Sequence, residues 1–349
     1  MNITFFIGNG FDRSAGLDTS YDGFYKWYIN QPSSSHSVRQ FKEEISRYVT
    51  AQKTDNMIRT LWADFESGLG QYTDQFTIET APNFLEAYED AHESLCSYLE
   101  EEQAKFNIQG VDSSTISQLR DTFRNFYGDL KPLERDVFLQ MFQEDLRNNT
   151  VIKSVSFNYT GTLDSIIREI AKEPLNSWSE GGTKTMTMDS DVLHIHGTTS
   201  LSPIIGVFDE SQIKNKALLS YPGIAQVLIK STSVQTAGER WYNETAAQIN
   251  RSRIICIWGM SIGKTDAIWW KHITQWLIQD ASRHLIVFWH LSSPPTNRSI
   301  IVPFQTKKDV ISRLTAFSGL SDADIAAISS RIHIVINTET VLKVAFPKN

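Results

Sequence analysis

The sequence predicts an α/β protein built on a doubly wound parallel sheet, with a helical insertion after the first strand–helix unit. Two observations lead to this fold class. Most of the strand-like segments are continuous apolar runs rather than alternating ones, which is typical of a sheet covered by helices on both faces. Helical periodicity fills the stretches between these runs, and alternation of strands with helices indicates a parallel sheet.

Short apolar runs mark the predicted strands. In chain order they are residues 3–7, 151–157, 192–195, 203–208, 253–258, 285–289 and 331–336. Helical patterns alone fill the long interval between the first two runs. We therefore predict a doubly wound, Rossmann-like α/β domain, formed by residues 1–24 and 151–349, and a helical insertion at 25–150.

Apolar side chains recur at helical spacing in four stretches, three of them in the insertion, and each stretch predicts an amphipathic helix. The residues assigned to the buried faces are, in order, Phe84, Tyr88, Leu95 and Leu99; Ile116, Leu119, Phe123 and Phe126; Leu133, Val137, Phe138 and Met141; and Ile268, Trp269, His272 and Trp276. We expect the tryptophans and Phe126 to fill the core rather than to bind a ligand.

Composition and charge exclude several classes of protein. The 349 residues are 41% apolar and 11% aromatic, enough for a large core, so a disordered chain is excluded. A net charge of −7 argues against a protein that coats nucleic-acid duplexes. The two cysteines, Cys96 and Cys256, cannot build a disulfide framework or a four-thiolate zinc site.

No signal peptide and no membrane span are predicted. The first apolar run is short and lacks a basic flank, and no later run approaches the ~18 apolar residues that a membrane helix needs. We therefore expect a cytoplasmic protein that does not contact membranes.

Polar residues follow four of the predicted strands at the point where each strand ends. Gly8, Asn9, Gly10 and Asp12 follow the first, Asn158 and Tyr159 the second, His196 the third, and Gly259 and Ser261 the fifth. Because the carboxyl ends of parallel strands meet at one edge of a sheet, we expect these residues to line a single crevice. Glycines after a first strand let backbone N–H groups approach a phosphate, so the crevice is predicted to bind a nucleotide.

The same segments lead to further expectations about metal binding, phosphate binding and helix capping. We expect His194 and His196 to face opposite ways and so not to share a metal ion, and no metal site is predicted. A P-loop is disfavoured at residues 259–265, because three residues separate its glycines where a Walker A motif has four. Asp12 either binds ribose hydroxyls or caps the first helix. Glu66 is expected to lie on a solvated or salt-bridged helix face.

A set of segments in a characteristic order points to a known family. They are IGNGFDRSAGLDTSYDGF (7–24), WADFE (62–66), SFNYTGTLD (156–164), LHIHG (193–197), PIIGVFD (203–209) and ICIWGMSIGKTD (255–266). On these segments the chain resembles the AbiH family, bacterial proteins of phage abortive infection. This resemblance implies a role in antiviral defence.

More distantly, the same residues are similar to the NAD-binding fold of sirtuins and sirtuin-like defence NADases. The roles that this resemblance implies are a pyrophosphate cradle at Gly8, Asn9 and Gly10, a water- or ribose-orienting group at Asn158 followed by Tyr159, a proton acceptor at His196, and a site for the adenosine ribose at Gly259 and Ser261. Thr160 stands where sirtuins carry an acidic residue, and the sirtuin zinc ribbon is absent. The missing ribbon argues against deacylation of protein lysines.

Together these patterns predict an abortive-infection effector that binds NAD or a related nucleotide and hydrolyses its nicotinamide–ribose bond. NAD is the expected substrate or ligand, and no other cofactor is predicted. One alternative is a metal-dependent nuclease or nucleotidyltransferase, for which Asp12, Glu66, Asp209 and Asp266 are the scattered carboxylates. Another is a nucleotide-gated sensor without catalytic activity. Expected partners are the nucleotide, a phage-derived trigger or a partner defence protein, and a second copy of the chain in a homo-oligomer.

Overall fold

A seven-stranded sheet lies at the centre of the structure, a computed structural model that describes every residue except 52–61, 145–148, 179–183, 202, 238–239, 294, 297, 343–345 and 347–349. The strands are β1 (Asn2–Ile7), β2 (Thr150–Ser156), β3 (Asn176–Trp178), β4 (Lys184–His194), β5 (Ile254–Trp258), β6 (His284–Trp289) and β7 (Ile332–Ile336). Their order is β3-β4-β2-β1-β5-β6-β7, and every described pair is parallel except β3–β4. The predicted α/β fold is confirmed.

Helices occupy the segments between the strands. Those described are α1 (Gly10–Ser14), α2 (Tyr21–Tyr28), α3 (His36–Thr50), α4 (Phe65–Tyr72), α5 (Ala81–Gln103), α6 (Ser113–Arg124), α7 (Pro132–Glu144), α8 (Thr162–Ile170), α9 (Ile224–Leu228), α10 (Lys230–Ala237), α11 (Arg240–Arg251), α12 (Ala267–Gln279), α13 (Ile301–Thr315) and α14 (Asp322–Ser329). Within the described ranges, none of these helices has the length and apolar character needed to cross a membrane.

Both faces of the sheet are buried. Phe5 of β1 packs on the side of α6 and α8, where its ring centroid lies 4.9 Å from that of Phe123. Phe6, the next residue, packs on the opposite side with Ile249 of α11 and Ile273 of α12. The continuous apolar run of β1 therefore has the cause that the sequence indicated, burial on two faces.

The segment 203–208 is not a strand, and that prediction is wrong. In the described chain it makes one bridge, between Val207 and Ile229, and its residues Ile205 and Val207 are buried against the helices of the insertion. Its apolar run thus reflects burial without a neighbouring strand. The sequence also does not indicate β3 or the first half of β4, because residues 184–191 are mostly polar.

The helices of the predicted insertion divide between two cores. Helices α2 to α5 form a core of their own with residues 205–229, whereas α6 and α7 pack directly on the sheet. On α7 the buried residues are Phe138 and Met141, but Leu133 is 83% exposed and Val137 is 38% exposed. The predicted buried face of α7 is therefore wrong in its first two members.

Candidate functional site

Four titratable side chains, three of them buried, meet at the carboxyl edge of the sheet, and we call them the Lys230 cluster. The cluster consists of Glu66, His196, Lys230 and Asp266. The ammonium nitrogen of Lys230 donates hydrogen bonds of 2.8 Å to Glu66 Oε2 and of 2.8 Å to Asp266 Oδ1. His196 Nε2 lies 2.9 Å from the same Asp266 oxygen. One carboxylate oxygen therefore faces two nitrogens.

Local backbone structure brings these side chains from four distant segments. Asp64 caps α4 by accepting a hydrogen bond of 3.1 Å from the N–H of Ser67, which places Glu66 in the first turn of that helix. Lys230 is the first residue of α10, and Asp266 lies in the turn that joins β5 to α12. The hydroxyl of Tyr159 donates to the Ile204 carbonyl at 2.8 Å and lies 3.4 Å from Glu66 Oε1.

Burial and mutual attraction decide the charges of the Lys230 cluster. Burial lowers the pKa of Lys230, but Asp266 and Glu66 outweigh this effect and raise that pKa above its ordinary value. Burial raises the pKa of Asp266, but Lys230 and His196 lower it by more, so this pKa lies below its ordinary value. Burial also raises the pKa of Glu66 to about 7, although Lys230 opposes the rise. Burial and the Lys230 charge lower the pKa of His196.

A pocket opens onto this cluster. Its volume is about 230 Å³, and its polar end is formed by His196, Lys230 and Asp266. The remaining walls are mostly aromatic or aliphatic and include Ile195, Ile204, Phe208, Trp241, Tyr242, Ile268 and Trp269, with Ser231 and Asn243 as polar members. The hydroxyl of Tyr242 lies 2.8 Å from His272 Nε2, which fixes the orientation of that ring. The pocket thus combines aromatic walls with an imidazole and a carboxylate.

A second polar group, which we call the Asp12 cluster, lies beside α8. Its members are Asp12, Asn158, Thr160, Asp164 and His194. Asp12 accepts a hydrogen bond of 2.6 Å from the Thr160 hydroxyl. Asp12 does not cap α1, because the N-cap residue is Asn9, so the capping interpretation of Asp12 is wrong.

Several buried polar atoms of the Asp12 cluster have no hydrogen-bond partner among the described residues. These atoms are Oδ1 of Asp12 and both Nδ2 and Oδ1 of Asn158. Burial raises the pKa of Asp12 to about 6, against the opposing effects of Thr160 and the nearby Asn158 amide. A buried polar atom without a partner costs free energy, and such atoms occur where a ligand or a water completes the site.

The two histidines contact different carboxylates. His194 Nδ1 lies 3.0 Å from the Asn158 carbonyl and Nε2 lies 2.8 Å from Asp164 Oδ2, so both ring nitrogens face acceptors. Burial lowers the pKa of His194, but these contacts outweigh it and raise that pKa. Within a strand, residues two apart would face the same side. His194 and His196 diverge because β4 ends at His194 and the chain turns before His196.

The glycines after β1 and β5 pack against each other. The N–H of Gly8 donates to the Trp258 carbonyl at 2.9 Å, and the N–H of Gly10 donates to the Gly259 carbonyl at 2.8 Å. A Cβ atom on Gly10 would lie 2.6 Å from Gly259 Cα, closer than any side chain tolerates. These glycines therefore let two loops touch backbone to backbone, and their predicted role at a pyrophosphate stays a prediction.

Two other predicted residues lie at the surface of this edge. Asn9 is exposed, and its side chain makes two hydrogen bonds with Thr19. Asn9 Nδ2 donates to the Thr19 carbonyl at 2.8 Å, and Asn9 Oδ1 accepts from the Thr19 hydroxyl. Ser261 is also exposed. Among the predicted site residues, His196 contributes to the described pocket wall.

Comparison with protein families identifies the chain. The family described as Bacteriophage abortive infection AbiH matches residues 4–289, which cover most of the chain and both polar clusters. The chain belongs to the AbiH family. The resemblance stated from sequence segments is thus confirmed, and with it the association with abortive infection. A comparison with curated proteins gives no match.

In this AbiH protein the scattered carboxylates of the nuclease alternative are engaged with other groups. Lys230 places its ammonium between Glu66 and Asp266, where a metal-dependent mechanism would need a metal cation. Asp209 caps a short 3-10 turn by accepting from the N–H of Ser211 at 2.9 Å. Within the described part of the chain, no group of three or more His, Cys, Asp or Glu residues could hold a metal ion.

Sequence reasoning missed Lys230 and the aromatic pocket walls of this AbiH protein. Lys230 stands in an ordinary helical sequence, and its partner Glu66 is 164 residues away. Trp241 and Tyr242 belong to α11, which the sequence analysis did not single out. A signal that could have found Lys230 is its position directly after the apolar run 227–229, where a lysine is expected to be exposed unless it has a buried partner.

Proposed function

We propose that this AbiH protein is an anti-phage effector that binds NAD or a related nucleotide and hydrolyses the nicotinamide–ribose bond. The observation that carries the proposal is the pocket in which His196 and Asp266 meet aromatic walls at the carboxyl edge of a parallel sheet. In open α/β sheets this edge is where ligands bind.

The order of the strands supports a nucleotide as the ligand. With the antiparallel strand β3 set aside, the parallel strands follow one another across the sheet as third, second, first, fourth, fifth and sixth in chain order. Dinucleotide-binding folds of the Rossmann type have the same order, and their ligand crosses the point where the order reverses. Here that point lies between the loops after β1 and β5, close to Asp12 and Asp266.

The chemistry of glycosidic cleavage fits the side chains of the pocket. A flat aromatic ring can stack on Trp241, Tyr242 or Trp269. Cleavage of the nicotinamide–ribose bond develops positive charge on the ribose, and an ionised carboxylate such as Asp266 stabilises that charge. The departing nicotinamide is neutral once the bond breaks, so the leaving group needs no general acid.

The attacking water must lose a proton, and His196 is placed to accept it. In the proposed step the bond between ribose C1′ and the nicotinamide nitrogen breaks, and water oxygen forms a new bond to C1′. The proton of that water passes to His196, which burial and Lys230 keep unprotonated near neutral pH. The products are ADP-ribose, nicotinamide and a proton.

The Asp12 cluster supplies a second set of ligand groups in this proposal. The unpartnered amide of Asn158 and the unpartnered oxygen of Asp12 can take hydrogen bonds from ribose hydroxyls or from the attacking water. Tyr159, next to Asn158, touches the Lys230 cluster through Glu66 and so links the two groups of residues. We place the reaction in the cytoplasm, under the control of a phage-derived trigger or a partner defence protein.

Purified protein tests the proposal directly. NAD consumption is followed by chromatography of nicotinamide and ADP-ribose, with and without chelator, for the wild type and for Asn158→Ala and His196→Ala. We expect release of nicotinamide that survives chelation and is lost in both variants. Degradation of nucleic acid that chelation abolishes would favour the nuclease alternative. Nucleotide binding without turnover, including in cells undergoing abortive infection, would favour the sensor.

A further inference from the structure

We propose that Lys230 is a positioning residue that fixes the carboxylate facing His196 and disfavours a positive charge on that imidazole. The inference deepens the proposed function, on which its catalytic consequence rests. It concerns a residue outside the glycine loops, the Asn158 turn and the histidine motif. The evidence for it is the shared oxygen of Asp266, whose side chain is 19% exposed, and the burial of Glu66, His196 and Lys230.

The geometry couples Lys230 to His196 through a single atom. Both nitrogens lie within 3 Å of Asp266 Oδ1, at 2.8 Å from Lys230 Nζ and 2.9 Å from His196 Nε2. They are therefore within about 6 Å of each other, the range in which one charge alters the protonation of another. The side chains of Lys230 and His196 are 8% and 7% exposed, so water screens this repulsion little.

The second ion pair of Lys230 holds its ammonium in place. Glu66 Oε2, from α4, lies 2.8 Å from Nζ, and its side chain is 6% exposed. Glu66 and Asp266 come from different layers of the molecule. If Lys230 moved away from either carboxylate, that carboxylate would lose its cation, which is unfavourable in a site with little water. The imidazole keeps Nε2 against Asp266, and in the proposed function its other nitrogen, Nδ1, is the one that accepts the proton.

Other titratable groups surround His196 and must be counted in any pH dependence. Lys230 from α10 and Asp266 from the turn after β5 act on His196 directly, and the ring centroid of Tyr159 lies 6.1 Å from that of the imidazole. Glu66 and the N-cap residue Asp64 from α4 and Tyr21 from α2 interact with Asp266. Among the described groups that face His196 in this way, Lys230 is the cation. Removing Lys230 therefore leaves an acidic surrounding, which favours protonation of His196.

The test is the titration of His196 by NMR of protein labelled in its eight histidines, with the resonance assigned from its disappearance in His196→Gln. In Lys230→Met we expect the midpoint of His196 to rise by about 1–3 pH units. Lys230→Arg keeps the charge and should keep the midpoint close to that of the wild type. The double variant Lys230→Met, Glu66→Gln removes one cation and one anion together and serves if the single variant does not fold.

Lys42 provides the matched control. It is also a buried lysine, but it donates to the carbonyls of Gln31 and Pro32 rather than to the Lys230 cluster. Lys42→Met should lower stability without moving the titration of His196. A midpoint that stays unchanged in both Lys230→Met variants, or that moves equally in Lys42→Met, overturns the inference.

Activity provides a separate readout. Because His196 must be unprotonated to accept a proton, the rate of NAD hydrolysis should rise with pH through its midpoint, and this rise should move to higher pH in Lys230→Met. If the wild type releases no nicotinamide at any pH, the proposed function fails, while the NMR titration still decides the role of Lys230. If nicotinamide is released and neither the titration nor the pH profile moves, the inference about Lys230 alone is wrong.

Discussion

The sharpest expectations concern single histidines, because His194 and His196 are two residues apart and have different partners. If His196 accepts a proton, His196→Gln should reduce NAD turnover by the ~10²–10⁴-fold typical of a general base. His194→Ala should instead remove one partner of the Asn158 carbonyl and the partner of Asp164 Oδ2, and so lower stability by about 1–3 kcal/mol. Turnover and chemical denaturation of both variants check this. Loss of turnover in His194→Ala at unchanged stability, with His196→Gln still active, would reverse the assignment.

Asp12 should make the molecule less stable as the pH rises. Its pKa is raised from 3.8 to about 6 by burial, so between these values the folded protein binds more protons than the unfolded chain. Stability contributed by this group is therefore complete below pH 4 and lost as the pH rises through 6, by about 2–3 kcal/mol in total. Asp12→Asn, which can still accept from Thr160, should remove this loss. Urea denaturation of both proteins at pH 4.5 and 7.5 measures it.

At the scale of single residues, the sequence could locate residues that follow strands but not residues that meet through tertiary packing. Asn158 and His196 follow apolar runs, which is a local signal. Lys230 owes its role to Glu66 and Asp266, which lie 164 and 36 residues away in the chain. Of the two states expected for Glu66, the salt-bridged one is confirmed and the solvated one is wrong, because its side chain pairs with Lys230 and is 6% exposed. Neither its burial nor its partner could be inferred from the residues around it.

At the scale of elements, the close contact between the loops after β1 and β5 gives a stability prediction. Gly10→Ala would put a methyl group 2.6 Å from the Cα of Gly259, and neither backbone can move without disturbing its strand. We expect a loss of about 1–3 kcal/mol, as for other overpacked sites. Gly263→Ala, in the same loop as Gly259, meets nothing closer than 3.7 Å and should change stability by less than about 0.5 kcal/mol. Equal effects of the two substitutions in thermal unfolding would contradict this account.

Elements were predictable where burial on two faces left a continuous apolar run. β1, β5 and β6 carry such runs, and β2 and β7 carry runs interrupted by polar residues. Helices α5 and α12 are marked instead by apolar residues at helical spacing. The antiparallel strand β3 and the start of β4 form one edge of the sheet and carry mostly polar residues, so no run marks them. Residues 203–208 carry a run without being a strand, since their burial comes from helices α2 to α5.

At the scale of the whole molecule, the arrangement of the helical segment could not be read from the sequence. Nothing in residues 25–150 indicates that α6 and α7 pack on the sheet while α2 to α5 build a core with residues 205–229. Such a division depends on which apolar faces meet after the chain folds. The Lys230 cluster lies where the core of α2 to α5 meets the sheet, because Glu66 belongs to α4 and Asp266 to the turn after β5.

The Lys230 cluster should therefore join two layers of the molecule in a pH-dependent way. Lys230→Met leaves the buried Glu66 and the half-buried Asp266 without their lysine counter-ion and should cost about 3–5 kcal/mol at pH 8. Glu66→Gln keeps the pair of Lys230 with Asp266 and should cost less, and adding Glu66→Gln to Lys230→Met should restore part of the loss.

Without Lys230 the pKa of Glu66, already about 7, rises further, so the folded variant takes up protons that the unfolded chain does not. The cost of Lys230→Met should consequently shrink as the pH falls from 8 to 5. Denaturant unfolding of the three variants at both pH values measures the coupling, and a cost below 1 kcal/mol at pH 8, or one that does not change with pH, would mean that the two layers are held together by apolar packing alone.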